Sequence, residues 1–393
     1  MEEDVTKSIG ILTGGGDVPG LNVAIKAVVL GALEEGYKVY GIRRGWRGLL
    51  HYDFGEPSTH DLYIKELDYE AVRKIDRTGG TFLHTSRTNP QRVQKRKVPE
   101  FLANSTYGKK IDNLGTIDFT DYVLKVLSEI GIDSLISIGG DDTLSFSARL
   151  YKEGFPVIGI PKTMDNDVYG TDYCIGFSTA VTRSIKLITA MRSSVGSHER
   201  IGVVELFGRN SGETSLISAM LSHVDRAVIS EVPFDINKLS SFLVEDKRRN
   251  PSNYSIMTVS EGATYEGGEI VETGKPDAFG HRKLGGIGEL IASDIERITK
   301  YNTMYQKLGY VIRSGPADTT DRLIGMAYGN IALNLVKKNE FGLLTAIIDG
   351  KYATVPLNRV ISCKKFADVE AYYDRENYLP KVKDFLGHPV FLT

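Results

Sequence analysis

The sequence predicts an α/β protein with mainly parallel sheets covered by helices on both faces. Three observations predict it. Short Val/Ile-rich runs alternate with amphipathic stretches over most of the 393 residues. The apolar runs are nearly continuous, as strands buried on both faces are. Glycine-plus-polar clusters follow directly on several of them, where open α/β sheets bind ligands.

The elements follow in order. "KSIGILT" (7–13) is the first expected strand, and "GGGDVPG" breaks it. Leu21, Ile25, Val28, Val29 and Ala32 then share one face of a helix that Gly36 stops. Strands are expected at 37–42, 133–140 and 155–161, with a helix near 143–153 between the last two. A long helix near 178–194 leads to a strand at 200–208 and a helix near 211–222. "AVISEVP" (227–233), a helix near 236–248 and "YSIMTVSEG" (254–262) continue the alternation. Two similar three-layer domains are expected. One spans 1–175 and takes back part of 316–360; the other spans 176–315 and takes the C-terminal segment. The glycine-rich run 262–288 is expected to be a mobile loop.

Composition narrows the function. A net charge of -2 leaves no electrostatic footprint for nucleic acid or an anionic membrane. The basic run "RVQKRK" (92–97) reads as a solvated loop. Two cysteines, Cys174 and Cys363, cannot build a disulfide framework; they read as small buried apolar residues in a reducing cytoplasm. The acidic N-terminus meets glycines after a few apolar residues and does not read as a signal peptide. No run approaches the roughly 18 apolar residues of a membrane span.

Four clusters carry chemistry. "TGGGDVPGLN" (13–22) lets backbone approach a ligand at a helix N-terminus, yet matches neither the dinucleotide nor the P-loop pattern. "GGTFLHTSR" (79–87) ends on Arg87, whose planar fork suits a phosphate. "GGDDT" and "PKTMDND" put Asp141, Asp142, Asp165 and Asp167 at the ends of two consecutive strands, around Gly140, Lys162 and Thr163. Four neighbouring carboxylates repel one another unless a cation joins them, and Mg²⁺ shared with substrate phosphates is the natural one. "ERIGVVELFGR" supplies Arg200, Phe207, Gly208 and Arg209, and later strand ends add Glu261, Tyr310 and Arg313. Carboxylates suit sugar hydroxyls and guanidiniums suit a sugar phosphate.

Taken together, these blocks resemble the phosphofructokinase family in order and spacing over roughly residues 8 to 330. "GGD" followed about twenty residues later by "P-x-T-x-D-N-D" is specific, unlike a lone glycine motif. The resemblance implies two similar α/β domains with the active site in the cleft between them, assembled as a homodimer or homotetramer. It implies a Mg²⁺-dependent phosphotransferase acting on the C1 hydroxyl of fructose 6-phosphate. Asp165 is then the general base, with Thr163 and Asp167 in the same catalytic loop. Asp141 holds the metal. Gly15, Gly140 and Arg87 meet the donor phosphates. Phe207, Gly208, Arg209, Glu261, Tyr310 and Arg313 line the sugar-phosphate site, and Arg200 reaches a neighbouring subunit's 6-phosphate.

Two positions speak to the donor. ATP-using relatives resemble "GGDG[ST]" and "PGT[IM]DND", and here those glycines are Asp142 and Lys162. The pair resembles the pyrophosphate-dependent branch. Glycine lets a nucleotide's α-phosphate lie on the backbone, whereas an aspartate fills that space and repels it. Lys162 adds a cation for the departing phosphate. Phe146 stands where ATP users keep a small residue, and equally reads as helix core. Met304 stands where many bacterial relatives carry an arginine, which leaves the neighbour's phosphate to Arg200 and a residue such as Lys307. The alternative is an ATP-dependent enzyme that tolerates Asp142. A NAD or lipid kinase and a non-catalytic sugar-phosphate sensor fit less well, the first because of the "DND" and "FGR" blocks, the second because Asp141 and Asp165 are both present.

Overall fold

In the computed structural model the described residues are 7–111, 115–273, 283–284, 286–381 and Leu386. The near-continuous apolar strands assemble into two main sheets. The larger has seven strands in the order Lys351–Pro356, Leu343–Ile348, Val157–Pro161, Ser134–Gly139, Ser8–Thr13, Lys38–Ile42, Ile64–Glu66. Its inner pairings are parallel and its two edge strands antiparallel. The second sheet runs Arg226–Val228, Ser255–Ser260, Ile201–Leu206, Thr303–Lys307, all parallel.

Burial on both faces explains the continuous strands. Ile9, Ile11, Ile136 and Ile138 meet Leu21, Ile25 and Val28 of helix Leu21–Glu34. Leu12 and Leu135 face the other way, into a core with Trp46, Phe119 and Phe146. The first of these cores continues to Ile201, Val203, Val228, Ile256 and Val259 of the second sheet. Helix Leu21–Glu34 lies against helix Thr319–Lys337, and Gly329 makes that approach possible: a Cβ there would sit 2.8 Å from the Ala24 carbonyl oxygen.

In each sheet the chain switches direction at one strand. Ser8–Thr13 has the next strand in sequence on one side and Ser134–Gly139 on the other. Ile201–Leu206 has Ser255–Ser260 on one side and Thr303–Lys307 on the other. Crevices open at the carboxyl ends of such switch strands, and here the glycine turns and the "FGR" block fill them.

Several expectations are corrected. The helix expected near 143 begins at Asp141, so both aspartates sit in its first turn. The strand expected at 227–233 spans only Arg226–Val228, and Glu231 instead accepts from Gly212 N and Ala367 N at 2.9 and 2.8 Å. Residues 79–87 are irregular and do not end a strand. Tyr310 and Arg313 belong to a 3₁₀ turn, Gly309–Arg313, after strand Thr303–Lys307. Cys174 is buried, but Cys363 is exposed. Of the loop expected at 262–288, residues 274–282 and 285 lie outside the described residues; Glu272–Thr273 pairs antiparallel with Lys283–Leu284. Among the described residues no helix is long and apolar enough to cross a membrane.

Candidate active site

The first glycine turn is fastened from both sides. Gly14 N donates to Ile138 O at 2.9 Å and Gly15 N to Ser86 O at 3.0 Å. The Thr85 hydroxyl donates to Gly15 O at 2.7 Å. Gly15 has a φ of +81°, and a Cβ there would lie 3.0 Å from Lys162 Nζ. A Cβ on Gly16 would lie 2.5 Å from Arg313 Nη1. The turn is therefore open to phosphate oxygens and faced by two cations from distant segments. The Ser86 bond to Gly15 brings the exposed Arg87 to the same place.

Strands Ser134–Gly139 and Val157–Pro161 pair in parallel, with Gly139 opposite Pro161. Their ends deliver the four predicted aspartates together, and Lys162 N donates to Gly139 O at 3.0 Å. Gly140 precedes the helix in extended conformation. The positive end of helix Asp141–Lys152 offsets the charge of Asp141 and Asp142. Even so, burial, then the Asp167 and Asp142 charges, push the Asp141 carboxyl up to about 8. Lys162 is only 4% exposed. Burial, then Arg313 and Arg87, press its ammonium down to about 8, against the pull of Asp17 and Asp167.

The catalytic-loop candidate is held by buried polar groups. Asp165 N donates to Thr163 Oγ1 at 3.2 Å, and the Thr214 hydroxyl donates to Met164 O at 2.7 Å. Burial, then Asp167 and Glu261, raise the Asp165 carboxyl well above the usual carboxylate range, while the Arg209 backbone N–H and Arg313 oppose the rise. Asn166 is buried with a φ of +55°. Its amide donates to Glu213 Oε1 at 3.0 Å and to Asp172 O at 2.9 Å.

The second sheet contributes the other wall. Gly208, at φ +137°, accepts from Gly262 N at 3.1 Å. Glu261 N donates to Leu206 O at 2.9 Å, which sets Glu261 beside the Phe207–Arg209 turn. Arg313 joins the walls: its guanidinium lies 4.5 Å over the Tyr310 ring, 5.7 Å from the Phe207 ring and 3.5 Å from Asp17 Oδ1. Tyr310 is 64% exposed. Fully buried Glu205 accepts from Lys307 Nζ at 2.5 Å and from the Tyr305 hydroxyl at 2.9 Å. Lys307 also stands 3.9 Å from Glu261 Oε2.

Arg200 stands apart from this cleft. It precedes Ile201, so the six-residue strand separates it from Phe207, about 20 Å at ~3.3 Å per residue. Phe146 is buried, edge-on to Trp46 with ring centroids 4.9 Å apart, so it is core packing. Asp17, Asn166, Glu205 and Glu213 join the site only in the fold. Asp17 lay visible in "GGGD", and Asn166 in "MDND". Glu205 reads as one polar residue in an apolar strand, a pattern that marks a buried charge needing a partner. Glu213 gives no local signal.

The donor set fits a hard cation. Asp141 Oδ1 and Asp165 Oδ1 are buried without a hydrogen-bond partner. Among the described residues no three His, Cys, Asp or Glu side chains group closely enough to hold an ion alone. A site with few protein oxygens, completed by phosphate oxygens, is how Mg²⁺ is commonly bound. A depression of about 400 Å³ lies between helix Phe177–Ser197 and strand Thr303–Lys307, lined by Leu187, Met191, Lys307 and Val311.

Comparison with known proteins identifies the family. The phosphofructokinase family model matches residues 8–336. The chain is 36% identical over 376 residues to a pyrophosphate--fructose 6-phosphate 1-phosphotransferase of Thermoproteus tenax, covering 95% of this chain and 98% of that one. It is 34% identical to the protein of the same name from Amycolatopsis methanolica, covering 94% and 98%. It is also 35% identical to an ATP-dependent 6-phosphofructokinase 2 of Clostridium perfringens, covering 93% and 94%. A solved pyrophosphate-dependent phosphofructokinase from Marinobacter aquaeolei shares the fold, with TM-score 0.75 at 18% identity over 96% of this chain and 89% of that one.

Proposed function

The chain belongs to the phosphofructokinase family, and from that premise we propose that its phosphoryl donor is pyrophosphate. It transfers a phosphoryl group reversibly from Mg²⁺-bound pyrophosphate to the C1 hydroxyl of fructose 6-phosphate. The products are fructose 1,6-bisphosphate and phosphate. The observation that carries the donor assignment is the buried ammonium of Lys162 against Gly15, with Asp142 in the facing helix turn. That space suits a compact dianionic donor. A nucleotide's α-phosphate would meet Asp142, and like charges in close contact repel by several kcal/mol. The Thermoproteus and Amycolatopsis relatives support the same donor.

In this reading Asp165 takes the C1 hydroxyl proton as that oxygen attacks the near phosphorus in line. Burial, then Asp167 and Glu261, raise its pKa, which makes the ionised carboxylate a stronger base for that proton. The bond from phosphorus to the bridging oxygen breaks, and phosphate leaves beside Lys162, whose charge stabilises it. Thr163 and Asp167 keep the loop in register. Gly15, Gly140 and Arg87 hold the donor oxygens. Phe207, Gly208, Arg209, Glu261, Tyr310 and Arg313 orient the sugar phosphate. Asp141 would hold Mg²⁺, which would neutralise pyrophosphate charge. Phosphoryl transfer needs this positioning and charge neutralisation more than covalent help from the protein. The two sheets are read as the donor and sugar-phosphate domains, the enzyme as a cytoplasmic homodimer or homotetramer, and the reaction as a step of sugar-phosphate metabolism usable in either direction.

The test supplies Mg²⁺ and fructose 6-phosphate with either pyrophosphate or ATP and measures fructose 1,6-bisphosphate. Pyrophosphate is expected to be preferred by about 100-fold or more in kcat/KM, the size a like-charge contact commands. Efficient turnover with ATP and none with pyrophosphate would return the ATP-dependent reading.

A further inference from the structure

The family match ends at residue 336, yet the chain returns to the cleft after that point. Beyond the 3₁₀ turn Leu357–Ile361, it crosses from the first sheet to the second. Ala367 N donates to Glu231 Oε1 at 2.8 Å, and the Tyr373 hydroxyl donates to Ala227 O at 2.6 Å. Lys365 turns inward along this crossing, its side chain 10% exposed. Its ammonium donates to Asp172 O at 3.0 Å and stands 3.7 Å from Glu213 Oε2.

Glu213 is the first residue of helix Glu213–Ser222, with its side chain 4% exposed. Both its oxygens accept from Asn166 Nδ2, at 3.0 and 3.2 Å. The same Nδ2 donates to Asp172 O, and Asn166 Oδ1 accepts from Cys174 N at 2.8 Å. Asn166 stands between Asp165 and Asp167, in a left-handed conformation that ordinary side chains seldom adopt. The geometry of the two flanking aspartates therefore depends on how firmly the Asn166 amide is gripped.

A carboxylate so buried is costly unless a cation joins it. Among the described residues, the Glu231 carboxylate also faces Glu213 and repels it, and the Tyr372 phenol faces it with its ionisation opposed. Burial still pushes the Glu213 carboxyl up to about 7, and Lys365 is the cation that holds it from rising further. An ionised Glu213 accepts the Asn166 amide on either oxygen. A neutral carboxyl would present a hydroxyl that needs an acceptor of its own.

We propose that Lys365 is a positioning residue: through Glu213 and Asn166 it holds the Asp165–Asp167 loop in its working geometry. Its kinetic test rests on the phosphotransferase reading; its exchange test does not. With the full-length enzyme and whichever donor turns over, Lys365→Met is expected to lower kcat about 10- to 100-fold, the cost of a misplaced catalytic group. KM for both substrates should stay within about twofold of wild type, since only positioning is lost. Lys365→Arg should recover most of kcat. In a Glu213→Gln background the same Lys365→Met change should cost much less, because a neutral amide needs no counter-charge.

Hydrogen exchange reads the loop without any reaction. In Lys365→Met, the amides of 164–168 should exchange at least about tenfold faster, with the Ala367 amide changing less. Wild-type kcat in Lys365→Met, losses additive with Glu213→Gln, or unchanged loop exchange would each overturn the proposal. Exchange rising as much at Ala367 as in the loop would also overturn it, making Lys365 only a fastener for the crossing. A wild-type enzyme that ignores both donors would sink the phosphotransferase reading, while the exchange result would still decide this one.

Discussion

Lys162 shows how a single side chain acts through its surroundings. In water a lysine ammonium holds its proton far above neutrality. Buried between the Gly15 turn and the Arg313 guanidinium, it is pressed down to about 8. In the proposed role Lys162 meets the donor in its charged form, so kcat/KM for pyrophosphate should fall as pH rises through about 8. Because bound donor anions favour the ammonium, the limb in kcat should lie at higher pH. A pH–rate profile of the free enzyme checks this, and an alkaline limb equally present in Lys162→Met would remove Lys162 as its source. At this scale the sequence was informative where a residue broke a local pattern. Two acids after two glycines, and a lysine where glycine is usual, are visible in a string of letters. Glu213 is not, because its partner Asn166 lies 47 positions away and only folding joins them.

Elements were legible where periodicity was strong. Helix Leu21–Glu34 and the long helix Phe177–Ser197 fall close to their expected bounds. The partner helix Thr319–Lys337 was not anticipated, nor were strands Leu343–Ile348 and Lys351–Pro356, which close one side of the first sheet. Gly325 and Gly329 in that helix break an apolar count while permitting the closest helix contact. A Cβ on Gly329 would meet Ala24 O at 2.8 Å and Ala27 Cβ at 2.9 Å. Gly329→Val should therefore destabilise the fold by about 1–3 kcal/mol through overpacking. The midpoint of thermal or urea unfolding reads this; an unchanged midpoint would mean the two helices separate at no cost.

At the scale of the whole molecule the two sheets share one cleft, and Arg313 with Asp17 ties their loops together. Arg200 lies about 20 Å from that cleft, a strand's length away. If it serves a 6-phosphate, that phosphate belongs to another copy. Arg200→Ala should then raise KM for fructose 6-phosphate by about tenfold or more with kcat little changed, the loss expected for one charged hydrogen bond. Sedimentation should show at least a dimer of the 43.4-kDa chain. A monomer working at full rate would exclude the shared site.

Local pattern is enough to give the alternation of strand and helix, the parallel character of the sheets, and the acids and glycines at the strand ends. These rest on local forces: apolar periodicity, the backbone freedom of glycine and the repulsion of adjacent carboxylates. Tertiary structure alone decided that Lys162 and Arg313 meet at one glycine turn and that Phe146 is core. It also decided that Lys365, beyond residue 360, returns to Glu213 and through it to Asn166. Those outcomes depend on contacts between segments tens to hundreds of residues apart. No local propensity records them, since each becomes favourable only when burial removes the water that would otherwise compete for the same charges and hydrogen bonds.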